Sequence, residues 1–271
     1  MVDAFFRISS LTDPIVSVLP CGAEASPPAA IAVSVVSHGH RELVIRLLGQ
    51  LSVGATSIAE VVLTHNLPAA PVPTPPGGWP FRFVEIFNQT PAGFGANHNH
   101  ALAQCSSEFF CVLNPDIELK DAHIWQQLLR RGREPHVGCA YPILLNADGS
   151  RQENEREAVS PLALINRHVL KRPQLRVDWV SAAFWLVRAT AWRQVGGFDE
   201  RYFMYCEDTD FCLRLQLAGW TLARADVCAA HDASWGSRQI GAHLFWHLRS
   251  MMRLWVQPTL RRYLLRRLRL V

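Results

Sequence analysis

The feature that most constrains this chain is a regular alternation between residues 31 and 113. Short β-branched apolar runs take turns with segments whose apolar residues recur at helical spacing. Ile31 to Ser37 is the first run, and Glu42 to Leu51 follows it with Leu43, Ile45, Leu47 and Leu48. Further strands are predicted over 60–64, 81–87 and 109–113, with a proline- and glycine-rich loop over 67–80 and a helix over 95–105. Strands separated by helices and short loops predict an α/β fold with a mostly parallel sheet covered on both faces. Ligands of such sheets bind beyond the carboxyl ends of the strands. That rule puts Ser37, Thr64, Asn88 and Asn114 on one rim.

The second half is less regular. It predicts strands over 137–145 and 178–188, a short helix over 190–195 stopped by Gly196-Gly197, a helix over 208–218 and a last strand running to His231. One or two basic amphipathic helices, interrupted at Pro258, close the chain.

Composition narrows the function. Of 271 residues 49% are hydrophobic and 18% charged, enough for one sizeable core. The net charge of +4 is uneven: after Asp232 there is no acidic residue, but eight arginines follow. The domain before them is near neutral, which argues against a broad nucleic-acid-binding face. The seven cysteines form no C-x-x-C pair and read as free thiols of a cytoplasmic protein. No apolar stretch approaches the ~20 residues of a membrane span.

Three clusters carry candidate chemistry. Asn114-Pro115-Asp116 ends a strand, where a carboxylate can hold a hard divalent cation against a diphosphate; the tripeptide is also a favoured turn. Glu207, Asp208 and Asp210 crowd three carboxylates at a helix start, following aromatic Phe203 and Tyr205. Such groups serve the helix dipole and its caps, or, with a raised pKa, a general base. Gly93-Phe94-Gly95-Ala96-Asn97 opens a helix with glycines that let backbone approach a phosphate, without the third glycine of a dinucleotide fingerprint.

Taken in order, Ser34 to His38, Gly93 to Asn97, Val112 to Asp116, Val195 to Glu200 and Glu207 to Asp210 resemble glycosyltransferase family 2. The nearest branch is rhamnosyltransferase-like, and the likeness covers roughly residues 31–235. The resemblance implies an A-type glycosyltransferase fold over 31–236, between a poorly structured leader (1–30) and C-terminal helices (237–271). It implies inverting transfer of a sugar, rhamnose or another deoxyhexose, from a nucleoside-diphosphate donor to a surface glycan or glycolipid. Carried onto this chain, Asp208 is the base, with Glu207 beside it. Asp116 and His231 hold a divalent metal, Mn²⁺ or Mg²⁺. Ser37, Gly93, Gly95, Asn97 and Asn114 line the nucleotide sugar.

One departure is clear. Relatives end the second strand with an aspartate that pairs with the nucleobase, where this chain has His65, followed by Asn66. Asn66 can still reach a pyrimidine edge through its amide. His65 and the single aspartate of Asn114-Pro115-Asp116 motivate an alternative, a non-catalytic nucleotide- or glycan-binding scaffold. A nucleotidyltransferase would need a basic glycine-rich loop after the first strand, and Ser37-His38-Gly39-His40-Arg41 does not supply one. In the tail, Leu260, Leu264 and Leu268 share a helical face opposed to Arg262, Arg266 and Arg269. Such a helix suits peripheral contact with an anionic membrane on its cytoplasmic face, or packing on the domain with the arginines solvated.

Overall fold

The computed structural model describes residues 30–53, 55–103, 105–160, 176–232 and 240–269; the expected leader lies outside them. Among the described residues eight strands form one sheet, in the order β3-β2-β1-β4-β9-β6-β10-β5. They are β1 (Ile31–Ser37), β2 (Ile58–His65), β3 (Arg82–Phe87), β4 (Phe109–Leu113), β5 (Ile117–Glu118), β6 (Val137–Leu145), β9 (Phe184–Arg188) and β10 (Thr221–His231). Strands β7 (Glu155–Arg156) and β8 (Trp179–Val180) pair separately. The helices are α1 (Arg41–Val53), α2 (Phe94–Ala103), α3 (Ile124–Gly132), α4 (Ala189–Val195), α5 (Glu207–Leu217), α6 (Ile240–Val256) and α7 (Pro258–Leu268).

Strand direction decides where the chemistry gathers. β1 runs parallel to β2 and β4, and β2 to β3. β9 is antiparallel to both β4 and β6, and β10 is parallel to β6. Two reversals restore the original direction, so β6 and β10 point the same way as β1 to β4. The carboxyl ends of β1, β2, β3, β4 and β10 therefore share one rim, and β9 begins there.

The sheet is buried on both sides because its strands are apolar at nearly every position. On one face Ile31, Val33 and Val35 meet Val44, Leu47, Leu48 and Leu51 of α1 and Ile124, Leu128 and Leu129 of α3. On the other, Phe110, Val112, Trp185 and Val187 meet Ala101, Leu102, Trp192, Phe198 and Phe211 from α2, α4, α5 and the turn between them. Each fully buried Leu or Phe contributes about 1.5–3 kcal/mol. A third, smaller cluster joins Tyr202, Cys206 and Leu213 to Leu254 of α6 and Leu260 of α7.

Two differences from the sequence reading stand out. The strand predicted over 178–188 is two strands broken at 181–183, where the backbone turns at the rim. Helix α3 has no counterpart in that reading, although Ile124, Trp125, Leu128 and Leu129 are buried at helical spacing. Among the described residues the cysteines are free, and no helix is long and apolar enough to cross a membrane.

Candidate functional site

At the end of β4 the chain turns through Asn114-Pro115-Asp116 into β5. Asn114 N–H donates to Ala183 O (2.9 Å), and Ile117 N–H donates to Asn114 O (3.3 Å), so the segment is a turn as well as a carboxylate mount. β5 pairs with β10 in a register that puts Ile117 opposite His231. Asp232 N–H donates to Asp116 O (3.2 Å), which closes the corner. His231 Nε2 consequently stands 3.5 Å from Asp116 Oδ1, with both side chains mostly buried.

The protonation of His231 follows from its far side. Gln152 Nε2 donates to Asn146 Oδ1 (3.0 Å) and to His231 O (3.3 Å), which orients the amide. Gln152 Oε1 then faces His231 Nδ1 at 2.8 Å and must accept from it. In the neutral ring Nε2 is left with a lone pair, aimed at Asp116 Oδ1, a buried oxygen with no hydrogen-bond donor. Two acceptors held face to face call for a cation between them, or for a second proton on the imidazole. An imidazole whose other nitrogen is fixed by an outer partner is how metal-binding histidines are usually mounted. Among the described residues no group of three His, Cys, Asp or Glu stands together as a metal site.

The acidic cluster sits across the turn at 181–183. Asp208 Oδ1 accepts from Thr209 N–H (2.7 Å), and the Ala182 backbone also bonds its carboxylate. Ala183 O is the acceptor for Asn114 N–H, so adjacent residues of one turn hold both carboxylate mounts. Burial pushes the Asp208 carboxyl up to about 6, against these hydrogen bonds, which lower it. Glu207 is raised well above the ordinary carboxylate range, first by burial and then by the charge of Asp208. Its Oε2 is buried without a partner. Asp210 pairs with Arg214 at 2.6 Å, and Arg214 also bonds Val195 O and Gly197 O, so this third carboxylate ties α5 to the end of α4.

The chain enters α5 through two non-glycine residues with left-handed backbone, Tyr205 (φ 71°) and Cys206 (φ 65°). Such geometry persists only when surroundings hold it. Here α6 does so: Trp246 stacks on Phe203 at 4.5 Å, Tyr205 Oη lies 2.6 Å from His243 Nδ1, and Ser250 Oγ donates to Met204 O (2.7 Å).

The glycine turn before α2 has a packing reason. A Cβ on Gly93 would lie 2.9 Å from Phe203 O, and one on Gly95 would lie 2.5 Å from Phe198 Cβ. Phe94 N–H donates to Phe203 O (2.9 Å), and the Asn99 side chain bonds both the N–H and the C=O of Phe198. The turn at Gly93–Gly95 and the segment at Phe198–Phe203 are thus interlocked. Sequence reasoning gave these glycines to phosphate approach alone; close helix–loop contact accounts for them as well.

Asn66, Asn88 and Asn97 form one network. Asn66 Oδ1 accepts from Asn88 Nδ2 and Ala92 N–H, while its Nδ2 donates to Ala92 O and His38 Nδ1. Asn97 Oδ1 accepts from Asn88 Nδ2, and its Nδ2 donates to Gly93 O. These amides are committed to shaping the 88–97 loop, which leaves Asn66 little capacity for a base edge. Ser37 Oγ accepts from His40 N–H (3.3 Å) ahead of α1. His65 is buried, stacked on Phe87 at 4.6 Å, with Nε2 2.7 Å from Glu85 Oε1. Glu85 was not singled out by the sequence; it lies two residues from Phe87, on the strand beside His65, and also accepts from Val72 N–H.

Comparison with known proteins shows the family to which the chain belongs. An N-acetylglucosaminyl-diphospho-decaprenol L-rhamnosyltransferase of Mycobacterium tuberculosis is 30% identical over 252 residues, covering 81% of each chain. The chain belongs to the rhamnosyltransferase-type glycosyltransferases, related to family 2. Rhamnosyltransferase WbbL of Escherichia coli is 27% identical over 248 residues, 82% of this chain and 91% of that one. No protein-family profile matches the chain. Among solved structures, a Pyrobaculum calidifontis mannosyltransferase in complex with GDP-Man and Mn²⁺ superposes with TM-score 0.57 at 13% identity. Staphylococcus aureus TarS gives 0.54 at 16%. The glycosyltransferase described here spans 60% and 37% of those two chains, which establish the A-type fold.

Proposed function

We propose that this glycosyltransferase moves a sugar, with rhamnose as the first candidate, from a nucleoside diphosphate to a lipid-linked glycan, with inversion at the anomeric carbon. The observation that carries the reading is that adjacent residues of the 181–183 turn hold both mounts: the Ala182 backbone bonds the Asp208 carboxylate, and Ala183 O accepts from Asn114 N–H. In this reading Asp208, with a carboxyl lifted to about 6, serves the acceptor, and Asp116 with His231, 3.5 Å apart, serves the donor diphosphate. The relatives named as rhamnosyltransferases support the sugar, and the decaprenol-diphosphate acceptor in the mycobacterial name supports the lipid.

Inverting displacement needs a base on the face of the sugar opposite the leaving group. In this reading Asp208 accepts the proton of the acceptor hydroxyl as its oxygen attacks the anomeric carbon and the C–O bond to the diphosphate breaks. Burial and the charge of Asp208 raise the Glu207 carboxyl well above the ordinary range, which disfavours a second charge beside the base. Asp116 and His231 fit a divalent ion, Mn²⁺ or Mg²⁺, which when bound would neutralise charge on the leaving diphosphate. The 88–97 loop, held by the asparagine network, and Ser37 border the nucleotide. His65 takes the nucleobase position, with Glu85 behind it.

The test is calorimetric titration with UDP, dTDP, GDP and CDP, with and without Mn²⁺, followed by a transfer assay with the matching sugar donors and a prenyl-diphosphate-linked acceptor. Metal-dependent binding of one nucleotide and turnover with its sugar is the expected result. Nucleotide binding without turnover on any donor would favour the non-catalytic scaffold that His65 suggests.

A further inference from the structure

The leucine stripe of the tail packs inward, and the helix before it presents the apolar face. Helix α7 carries the leucine stripe and the arginines, and two of the three leucines pack on the domain while Leu268 stays exposed. Leu260 is buried and Leu264 packs beside it in the Tyr202 cluster. Tyr263 Oη donates to Asp178 Oδ1 (2.8 Å), Arg267 pairs with Asp178 Oδ2 (2.9 Å), and Arg266 donates to the Gln216 and Leu217 carbonyls. Its inner face is occupied.

Helix α6 is the one that leaves an apolar face in solvent. Leu244, Phe245, Leu248, Met252, Trp255 and Val256 are all exposed, with Phe245 at 60%, Met252 at 65% and Val256 at 82%. At 3.6 residues per turn these six fall within about 120° of the helix circumference. No charged residue interrupts that arc. Arg249 lies at its edge and is exposed, as are Arg261, Arg262 and Arg269 on the helix that follows. The stretch after Asp232 contains no acidic side chain at all. Monomeric soluble proteins rarely expose a contiguous stripe of this kind without a partner for it.

We infer that the outer face of α6 docks on an anionic lipid bilayer, its apolar stripe in the headgroup–acyl boundary and the flanking arginines on the lipid phosphates. Charge complementarity selects this occupant: Arg249 at the edge of the stripe and the exposed arginines of α7, with no acidic side chain after Asp232, favour a negatively charged surface, whereas two copies of this region would bring like charges together. The opposite side of α6 holds Phe203, Met204 and Tyr205, the lead-in to Glu207 and Asp208. Docking would therefore bring the base to the membrane surface, where an acceptor hydroxyl on a lipid-linked glycan is presented. In that respect the inference rests on the proposed transfer, although the docking itself does not.

The test uses the full chain and vesicles of phosphatidylcholine with or without a third phosphatidylglycerol. Sedimentation is expected to carry the protein with anionic vesicles, with weaker binding to neutral ones and loss on raising salt. F245E/M252E is expected to reduce the partition coefficient at least about tenfold, while dTDP or UDP binding and the circular-dichroism spectrum stay as in the parent. L248S/M252S serves as a milder second variant should the first fold poorly. Absence of binding to anionic vesicles, or a variant that binds as the parent does, would overturn the inference. So would a concentration-dependent dimer abolished by F245E/M252E in the absence of vesicle binding, which would make a second copy the occupant. Vesicle binding without sugar transfer would leave the docking standing and remove the lipid-acceptor reading instead.

Discussion

His231 Nε2 and Asp116 Oδ1 face each other at 3.5 Å because β5, only two residues long, pairs antiparallel with the end of β10. The other ring nitrogen is pinned by Gln152 Oε1. That outer hydrogen bond sets which nitrogen is free. Gln152→Leu should leave the fold intact and weaken Mn²⁺-dependent nucleotide binding about 10- to 100-fold, the usual cost of removing an outer-shell partner. Calorimetry with and without metal measures it; unchanged metal dependence would separate Gln152 and His231 from the ion.

Asp208→Asn should abolish transfer while donor binding stays near that of the parent. It should also stabilise the protein at neutral pH. The folded carboxyl is raised from 3.8 to about 6, so ionising it disfavours the folded state. That penalty is absent below the unfolded value, grows between the two, and is complete above about 6. Removing it is worth about 1–3 kcal/mol, the scale of a shift of roughly two pH units. Urea melts at pH 7.5 and pH 4 distinguish the outcomes: a gain at the higher pH that vanishes at the lower.

The same carboxyl should govern the acidic limb of activity. A base works only when ionised, so kcat/KM should rise with pH through about 6 and level off above it. A limb near the ordinary carboxylate value would move the role away from Asp208.

Nucleobase choice should depend on Glu85. A carboxylate only accepts, so His65 Nε2 carries the proton and, in the neutral ring, Nδ1 keeps the lone pair. An acceptor there suits the imide N–H of uracil or thymine better than the bare ring nitrogen of cytosine. Glu85→Gln can donate to Nε2 and admit the other tautomer. It should narrow the UDP or dTDP preference over CDP by about tenfold, one hydrogen bond's worth. Equal selectivity in both proteins would take His65 out of base reading.

Gly95→Ala should cost about 1–3 kcal/mol, since its Cβ would sit 2.5 Å from Phe198 Cβ in a packed core. Gly93→Ala meets backbone instead, Phe203 O at 2.9 Å and Tyr202 O at 3.0 Å. It should shift the approach to Asp208 and lower kcat more than it raises KM. Thermal melts and steady-state kinetics on the two variants separate packing from alignment.

Much of the fold was legible in local pattern. Ile31–Ser37, Phe109–Leu113 and Val137–Leu145 are strands at the predicted bounds, because uninterrupted β-branched and aromatic runs have few other ways to be buried. The break at 181–183 was not legible: Ser181, Ala182 and Ala183 are small enough to continue an apolar strand, and only their contacts to Asp208 and Asn114 reveal the turn. Asp178 looked unremarkable, yet it is buried and anchors α7 through Tyr263 and Arg267. Asn66 looked free to bind a base until its neighbours were in place.

The sequence by itself determined the alternation of strands and helices, the rim on which their ends fall, and the ordered motifs that mark a rhamnosyltransferase-type enzyme. These depend on spacing along the chain, which is local. Only the tertiary structure decided which nitrogen of His231 turns to Asp116, that Glu85 stands behind His65, and that α7 buries Leu260 while the outer face of α6 stays exposed. Periodicity tells which side of a helix is apolar, but what lies opposite is set by residues far away in the chain. The packing of those distant residues decides whether a face is core or surface.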